Sequence, residues 1–286
     1  MHAQHPLNQN NAYLIEEVNM HTSKLGYGFA FMLGALSAGV NQAVMAADAT
    51  EPVTATATID WSRLQLSVTG VNGSSPTVQY ENQHTSLDSN AWTNAASETN
   101  SKNISNWTST AQTTADAGTT YANAVASTLD FSGVAVSGES GNANSSGNRS
   151  LDFSFDGPGV LTVTVPYTLT LTGDTRNCYY CYGDYASVSA YADFYSYTDN
   201  GSADSHSNAS FSLYNDYWHS SPESQSGTLV FGIFASGAGT GSLAFNFDLS
   251  TQSISPIPEP ESYAMLLAGL GLMGMMVRRR KMYKGV

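Results

Sequence analysis

Basic residues are scarce in this chain. Only ten of its 286 residues are Lys or Arg, against 23 Asp and Glu, and charged residues make up 12% of the sequence. Between residues 47 and 256 there are four basic side chains (Arg63, Lys102, Arg149 and Arg176) and 19 acidic ones, a formal charge of −15. Such a surface repels phosphate backbones and anionic lipid, so nucleic acid is excluded as a partner. Cysteine is also rare: Cys178 and Cys181, in Cys-Tyr-Tyr-Cys, are the only two. Two cysteines cannot form a disulfide framework. In an oxidising compartment this pair is expected to close into a local disulfide that staples a loop. The same spacing also fits a redox pair or half a zinc site, but no further His or Cys lies nearby in sequence, and Tyr182 stands where haem attachment needs a His.

Catalytic signatures are missing too. His84, His206 and His219 lie far apart, and none sits in a helical metal motif or a nucleophile elbow. No catalytic residue is assigned, and the chain is read as a non-enzyme. No metal site or cofactor is assigned either. Asp152-Phe-Ser-Phe-Asp156-Gly157 and Asp199-Asn200-Gly201 resemble calcium loops in their oxygen-rich composition, yet neither has the EF-hand spacing. Asp and Asn beside Gly also read as plain turns. Gly269-Leu-Gly271-Leu-Met-Gly274 matches a dinucleotide fingerprint in letters only, because that motif needs a preceding strand, a following helix and a distant acid, and the sequence ends about a dozen residues later.

Small polar residues dominate what is present, arranged in short alternating runs. Ile59 and Trp61, then Leu64, Leu66 and Val68, alternate with polar neighbours. The two sets have opposite parity, which predicts a break near Ser62-Arg63. Asn72-Gly73 is a turn signal, and Thr77 to Tyr80 reads as a returning strand. Leu161, Val163 and Val165 share one face of a run from Val160 to Leu171. Pro166 within it predicts an edge strand or a strand that switches sheets. Val188, Ala190, Ala192, Phe194 and Ser196 share a face, with Tyr191, Tyr195 and Tyr197 on the other. Phe211 and Leu213, Leu229 to Phe234, and Leu243 to Leu249 complete at least six strands. The expected fold is all-β, an antiparallel β-sandwich or jelly-roll-like domain over 47–256, with a short hydrophobic C-terminal helix beyond it. Residues 81–126 have little large apolar content beyond Trp92 and Trp107, and admit a loose helix, a long excursion or thin edge strands. Ser137 to Ser150 reads as a flexible loop.

Tyr179, Tyr180, Tyr182, Tyr185, Tyr191, Tyr195, Tyr197, Tyr214, Tyr217 and Trp218 crowd into forty residues. Flat amphipathic rings of this kind stack on sugars, which makes Tyr191, Tyr195 and Tyr197 candidate glycan contacts. Cross-strand aromatic pairing that stiffens a sheet is the competing reading.

Both termini read as targeting segments. Lys24, the apolar run from Leu25 to Val40, and Ala43-Val44-Met45-Ala46 form a secretory signal peptide over 1–46, with cleavage expected between Ala46 and Ala47. Residues 1–19 carry Glu16 and Glu17, unusual before such a run, and read as a gene-model extension ahead of Met20. At the other end, 257–286 holds Pro258-Glu259-Pro260, an apolar run from Tyr263 to Val277, and a basic stop of Arg278, Arg279, Arg280 and Lys281. The prolines keep the motif extended. The run falls short of the roughly 20 residues that cross a bilayer unaided, with snorkelling of Arg278 and Lys281 able to cover the difference. The cations should stay on the cytoplasmic side.

These three parts, in this order, resemble the PEP-CTERM tail of bacterial exported proteins. The resemblance implies an exosortase as processing partner and a tail held transiently in the inner membrane of a Gram-negative bacterium. It further implies a destination at the cell surface or in the extracellular matrix. By family analogy the chain would be a structural component of an exopolysaccharide biofilm or floc, glycosylated on its many Ser and Thr, with extracellular polysaccharide as partner. A carbohydrate-binding module and a secreted hydrolase are the alternatives.

Overall fold

Strands form here because outward and inward positions alternate, and a pleated backbone sends alternate side chains to opposite faces. A computed structural model describes residues 52–138, 140–173, 183–198, 201–216, 223–253 and 265–273. Two units make up the chain, Ala49–Pro258 and Met1–Asp48 with Glu259–Val286. The first contains β1 (Val53–Asp60), β2 (Gln65–Gly70), β3 (Val78–Trp92), β4 (Ser97–Ile104), β5 (Ala111–Asp116), β6 (Tyr121–Ala126) and β7 (Asp130–Ser137). It continues with β8 (Asn142–Phe155), β9 (Gly159–Thr172), β10 (Asp184–Thr198), β11 (Gly201–Asn215), β12 (Ser224–Ala235) and β13 (Gly239–Gln252).

The strands form two sheets. Sheet A runs β12-β9-β1-β7-β6-β5, with β2 also on β9, and sheet B runs β11-β10-β13-β8-β3-β4. Every pairing among the described residues is antiparallel. The inner faces share one apolar core, so the expected all-β sandwich is the fold. Its edge strands are stitched across the two sheets, which protects groups that would otherwise invite pairing with another chain. The Asp116 amide of β5 donates to Glu98 Oε2 of β4 at 2.9 Å, and the Phe234 amide of β12 donates to Ser205 Oγ of β11 at 3.3 Å.

The parity break falls where the sequence places it. A 3-10 turn, Trp61–Arg63, separates β1 from β2 and rolls Trp61 into the core. The turn also explains Pro166. On its β12 side β9 is paired without a break from Gly159 to Thr170, with Pro166 opposite Thr228. On its other side β1 reaches only Tyr167 and β2 only Thr164, so Val165 and Pro166 face a gap. β9 is therefore an interior strand. Its proline is tolerated because the neighbouring ladder is interrupted where an N–H would be needed.

Residues 142–155 correct the expectation of a loop. They form β8, an interior strand between β13 and β3. Its inward positions include Ala143, Ser145, Gly147 and Arg149, and the space above the small ones is filled from elsewhere. A Cβ on Gly147 would meet the Phe247 ring at 2.4 Å and the Phe131 ring at 2.8 Å, and one on Gly133 of β7 would meet Phe247 at 2.4 Å. Phe247 therefore lies between two glycines from opposite sheets, edge-on to Phe131 at 4.9 Å. Residues 81–126 are the paired strands β3 to β6, with alanines at 111, 115, 122, 124 and 126 turned inward. Of the two tryptophans in that region only Trp107 is an anchor. It meets Trp61 edge-on at 4.9 Å and donates its indole N–H to the His84 carbonyl at 3.0 Å, whereas Trp92 is exposed.

Arg149 is fully buried beneath this cluster, its guanidinium 4.4 Å from the Trp61 ring and 5.2 Å from that of Phe131. Nη2 donates to the Trp107 carbonyl at 3.4 Å, while Nε and Nη1 have no hydrogen-bond partner among the described residues. Burial lowers its pKa to about 10. Cation–π contact offsets part of the desolvation cost, and no carboxylate among the described residues shares it.

Candidate functional site

The outer face of sheet B gathers the candidate residues. Along β10, odd-numbered positions from Tyr185 to Tyr195 point outward while Ala186, Val188, Ala190, Ala192 and Phe194 are buried. Tyr191 and Tyr195 are 42% and 46% exposed, so both rings are available for stacking. Tyr197 lies in the same strand, but its side chain is outside the described residues. Tyr185 is tied down by a hydrogen bond from its hydroxyl to Asp248 Oδ2 at 2.8 Å. Burial, then that bond and the Asp248 charge, push its pKa up to about 12.

Register assembles a row that no local stretch of sequence reveals. His206 of β11 pairs with Asp193 of β10, Asp193 with Ser242 of β13, Ser242 with Asp152 of β8, and Asp152 with Glu81 of β3. All five lie on the outer face and cross the strands in line. His206 Nδ1 meets Asp193 Oδ1 at 2.6 Å, and its ring lies edge-on to Tyr195 at 6.2 Å between centroids. Glu81 and Asp152 are like charges opposite one another, an arrangement that costs sheet stability. Part of that cost is relieved at a bulge between Glu81 and His84, where Asn82 takes a φ of 49° and donates its amide to Asp152 Oδ2 at 2.9 Å.

A depression of about 420 Å³ follows this row, lined by Glu81, Asn82, Asp152, Tyr195 and Thr240 among others. A second, of about 390 Å³, lies farther along the same face among Asp88, Asn148, Ser189 and Asn246. A larger one of about 760 Å³ occupies the sheet A face at the gap beside Pro166. It contains the Arg63–Asp60 ion pair, and its one aromatic residue, Tyr167, is buried. Hydrogen bonds from Ser62 and Arg63 hold the Asp60 carboxyl below its usual range. Of these three depressions, the first is the one lined by an exposed ring, Tyr195.

The calcium-like segment does not act as one loop. Asp152 points outward from β8, while Asp156 follows the strand and accepts hydrogen bonds from the Thr77 amide at 2.7 Å and the Thr77 hydroxyl at 2.5 Å. Those bonds lower its pKa and make it a turn clamp. Among the described residues no group of three or more His, Cys, Asp and Glu is placed to hold a metal ion. Cys178, Cys181, Asp199, His219, the Ala46–Ala47 junction, Pro258, Glu259, Pro260, Arg278, Arg279, Arg280 and Lys281 lie outside the described residues.

The second unit contributes a helix, α1, over 265–273, with Leu266, Leu267, Leu270 and Leu272 exposed. Nine residues span about 14 Å at 1.5 Å per residue. Among the described residues no helix is long and apolar enough to cross a membrane.

No curated protein and no solved structure matches the chain. Among protein families, residues 256–281 match the PEP-CTERM protein-sorting motif. The chain therefore carries a C-terminal PEP-CTERM sorting motif, the feature of an exported protein sorted to the cell surface by an exosortase.

Proposed function

We propose that this chain is a non-enzymatic surface protein, released from a leader ending at Ala46 and retained in extracellular polysaccharide after its tail is processed. The sorting motif supports the route. The single observation favouring retention on a glycan is the outer face of sheet B, where two exposed tyrosines on one strand flank a row of polar and acidic groups that crosses the sheet. Planar rings beside hydrogen-bonding side chains suit pyranose units, which stack on one face and offer hydroxyls at their edges. On this reading the sandwich is a carbohydrate-binding module serving a matrix protein.

Two experiments test the proposal. Deleting residues 258–286 should move the protein from the cell surface to another fraction, and an unchanged distribution contradicts the route. The full-length chain should co-sediment with the host's extracellular polysaccharide, and failure to do so contradicts retention. Glycan cleavage that disappears in Glu81→Gln or Asp152→Asn would make the chain a hydrolase instead.

A further inference from the structure

We infer that the outer face of sheet B selects a polysaccharide bearing free amines, a polymer of de-N-acetylated amino sugars, over neutral or acidic glycans; this rests on the glycan-retention reading. The face has a one-sided charge. Following the register across all six strands, it presents Glu81, Asp88, Asp152, Asp193, Asp204 and Asp248, and no outward position holds Lys or Arg among the described residues. The only ionisable bases there are His84 and His206. Lys102 lies opposite the buried Leu87, so its register belongs to the inner-face set at the edge of the sheet. An acidic polysaccharide meets like-charge repulsion on this face. A neutral one gains stacking but brings no cation to the acidic row. A cationic one gains both.

The spacing supports an extended chain laid across the strands. Neighbouring strands are roughly 4.8 Å apart, close to the advance of one unit in an extended β-linked pyranose chain. Asp193 and Asp152 are separated by one strand, roughly 10 Å, and a chain with two-fold alternation presents the same edge at every second unit. Amines on alternate units would then fall over Asp193 and Asp152, with Glu81 one strand farther on. Tyr191 and Tyr195 stand two residues either side of Asp193 on β10, roughly 7 Å away in each direction, and border the track. The like-charge pair of Glu81 and Asp152, costly in the free protein, becomes favourable once an ammonium sits between them.

The test is calorimetric titration of the full-length chain at about pH 6, where carboxylates are ionised and sugar amines protonated. The probes are a β-1,4-glucosamine hexamer, its fully N-acetylated counterpart and an alginate oligomer. The free-amine hexamer should bind at least about tenfold more tightly than the acetylated one, and alginate should not bind. Glu81→Gln combined with Asp152→Asn should remove most of that preference, as should about 1 M NaCl, which cuts the screening length to about 3 Å. Asp130→Asn, on the other face, should change nothing. Asp88→Asn with Asp248→Asn serves as a second charge-removing pair should the first alter the unfolding midpoint. Equal affinity for both hexamers, or a preference that survives both charge-removing pairs, overturns the amine inference and leaves glycan binding standing. If neither hexamer binds but the host polysaccharide does, the inference is overturned alone. If the host polysaccharide also fails to bind, the glycan reading falls with it.

Discussion

Sheet A turns threonine outward where sheet B turns serine, asparagine and aspartate. On sheet A, Thr54, Thr56 and Thr58 of β1 lie beside Thr168, Thr170 and Thr172 of β9, and Thr56 and Thr170 share a hydrogen bond of 2.6 Å between their hydroxyls. On sheet B, β8 shows Asn142, Asn144, Ser146 and Asn148, and β10 shows Ser187, Ser189 and Asp193. Both sheets rest on one core. Threonine is a strand former and asparagine is not, so sheet A follows local propensity on its outer side and sheet B departs from it. β8 keeps its conformation through pairing on both edges. Residues that break a local rule are those expected to serve another purpose, and these share the outer face of sheet B with the exposed tyrosines and the acidic row.

The comparison can be broken at its root. Phe247→Ala empties the space between Gly133 and Gly147 and should cost about 3–5 kcal/mol. Because the core is shared, ligand binding on sheet B should weaken along with overall stability in chemical denaturation. A loss under about 1 kcal/mol would mean the sheets are not held together by this ring.

Arg149→Met comes next. It removes a buried cation that has, among the described residues, one long hydrogen bond and no carboxylate partner, and should raise stability by about 1–2 kcal/mol, cation–π loss included. The sign with pH follows from the depressed pKa. The cost of holding the charge in the fold is full below about 10 and relieved as pH rises toward the ordinary value of 12.5. The advantage of the methionine variant should therefore shrink above pH 10 in urea unfolding measured across that range. A variant less stable than wild type at neutral pH would show the cation–π cluster to be the stronger effect.

Exchanging the outward residues sharpens the contrast. Thr170→Asn should cost about 1 kcal/mol through lost propensity and the lost Thr56 bond, whereas Asn144→Thr should gain about 0.5 kcal/mol. No gain, or a loss, in Asn144→Thr would remove the argument that sheet B sacrifices propensity. The smallest effect belongs to Tyr185. Its raised pKa means that the fold holds the phenol proton more tightly than the unfolded chain. That stability is present below pH 10 and is lost as pH rises toward about 12. Tyr185→Phe should flatten this loss by a few tenths of a kcal/mol, a modest value because the group is largely solvated.

Large alternating side chains made half of this fold legible. Leu161, Val163 and Val165, or Val188, Ala190, Ala192 and Phe194, carry their own hydrophobic face, and both runs are buried as their period predicts. β8 was hidden because its inward side includes Ala143, Ser145 and Gly147, and the volume above it belongs to Phe131 and Phe247, far away in sequence. A strand that receives rings instead of supplying them has no hydrophobic period to read. The alanine-lined β5 and β6 escape for the same reason. The candidate site divides likewise. Tyr191 and Tyr195 are visible in the alternation of β10. The meeting of Glu81 with Asp152 depends on β3–β8 register between positions about seventy apart, and short-range patterning carries no information about it.

The most direct measurement is retention of the full-length chain on the host's extracellular polysaccharide, with paired substitutions on one face at a time. Tyr191→Ala with Tyr195→Ala should weaken retention by about tenfold or more, the loss of roughly 1.4 kcal/mol or more of stacking. Thr168→Ala with Thr228→Ala, on sheet A, should leave it unchanged at equal folded fraction. Equal loss from both pairs, or from neither, would contradict the assignment of function to the outer face of sheet B.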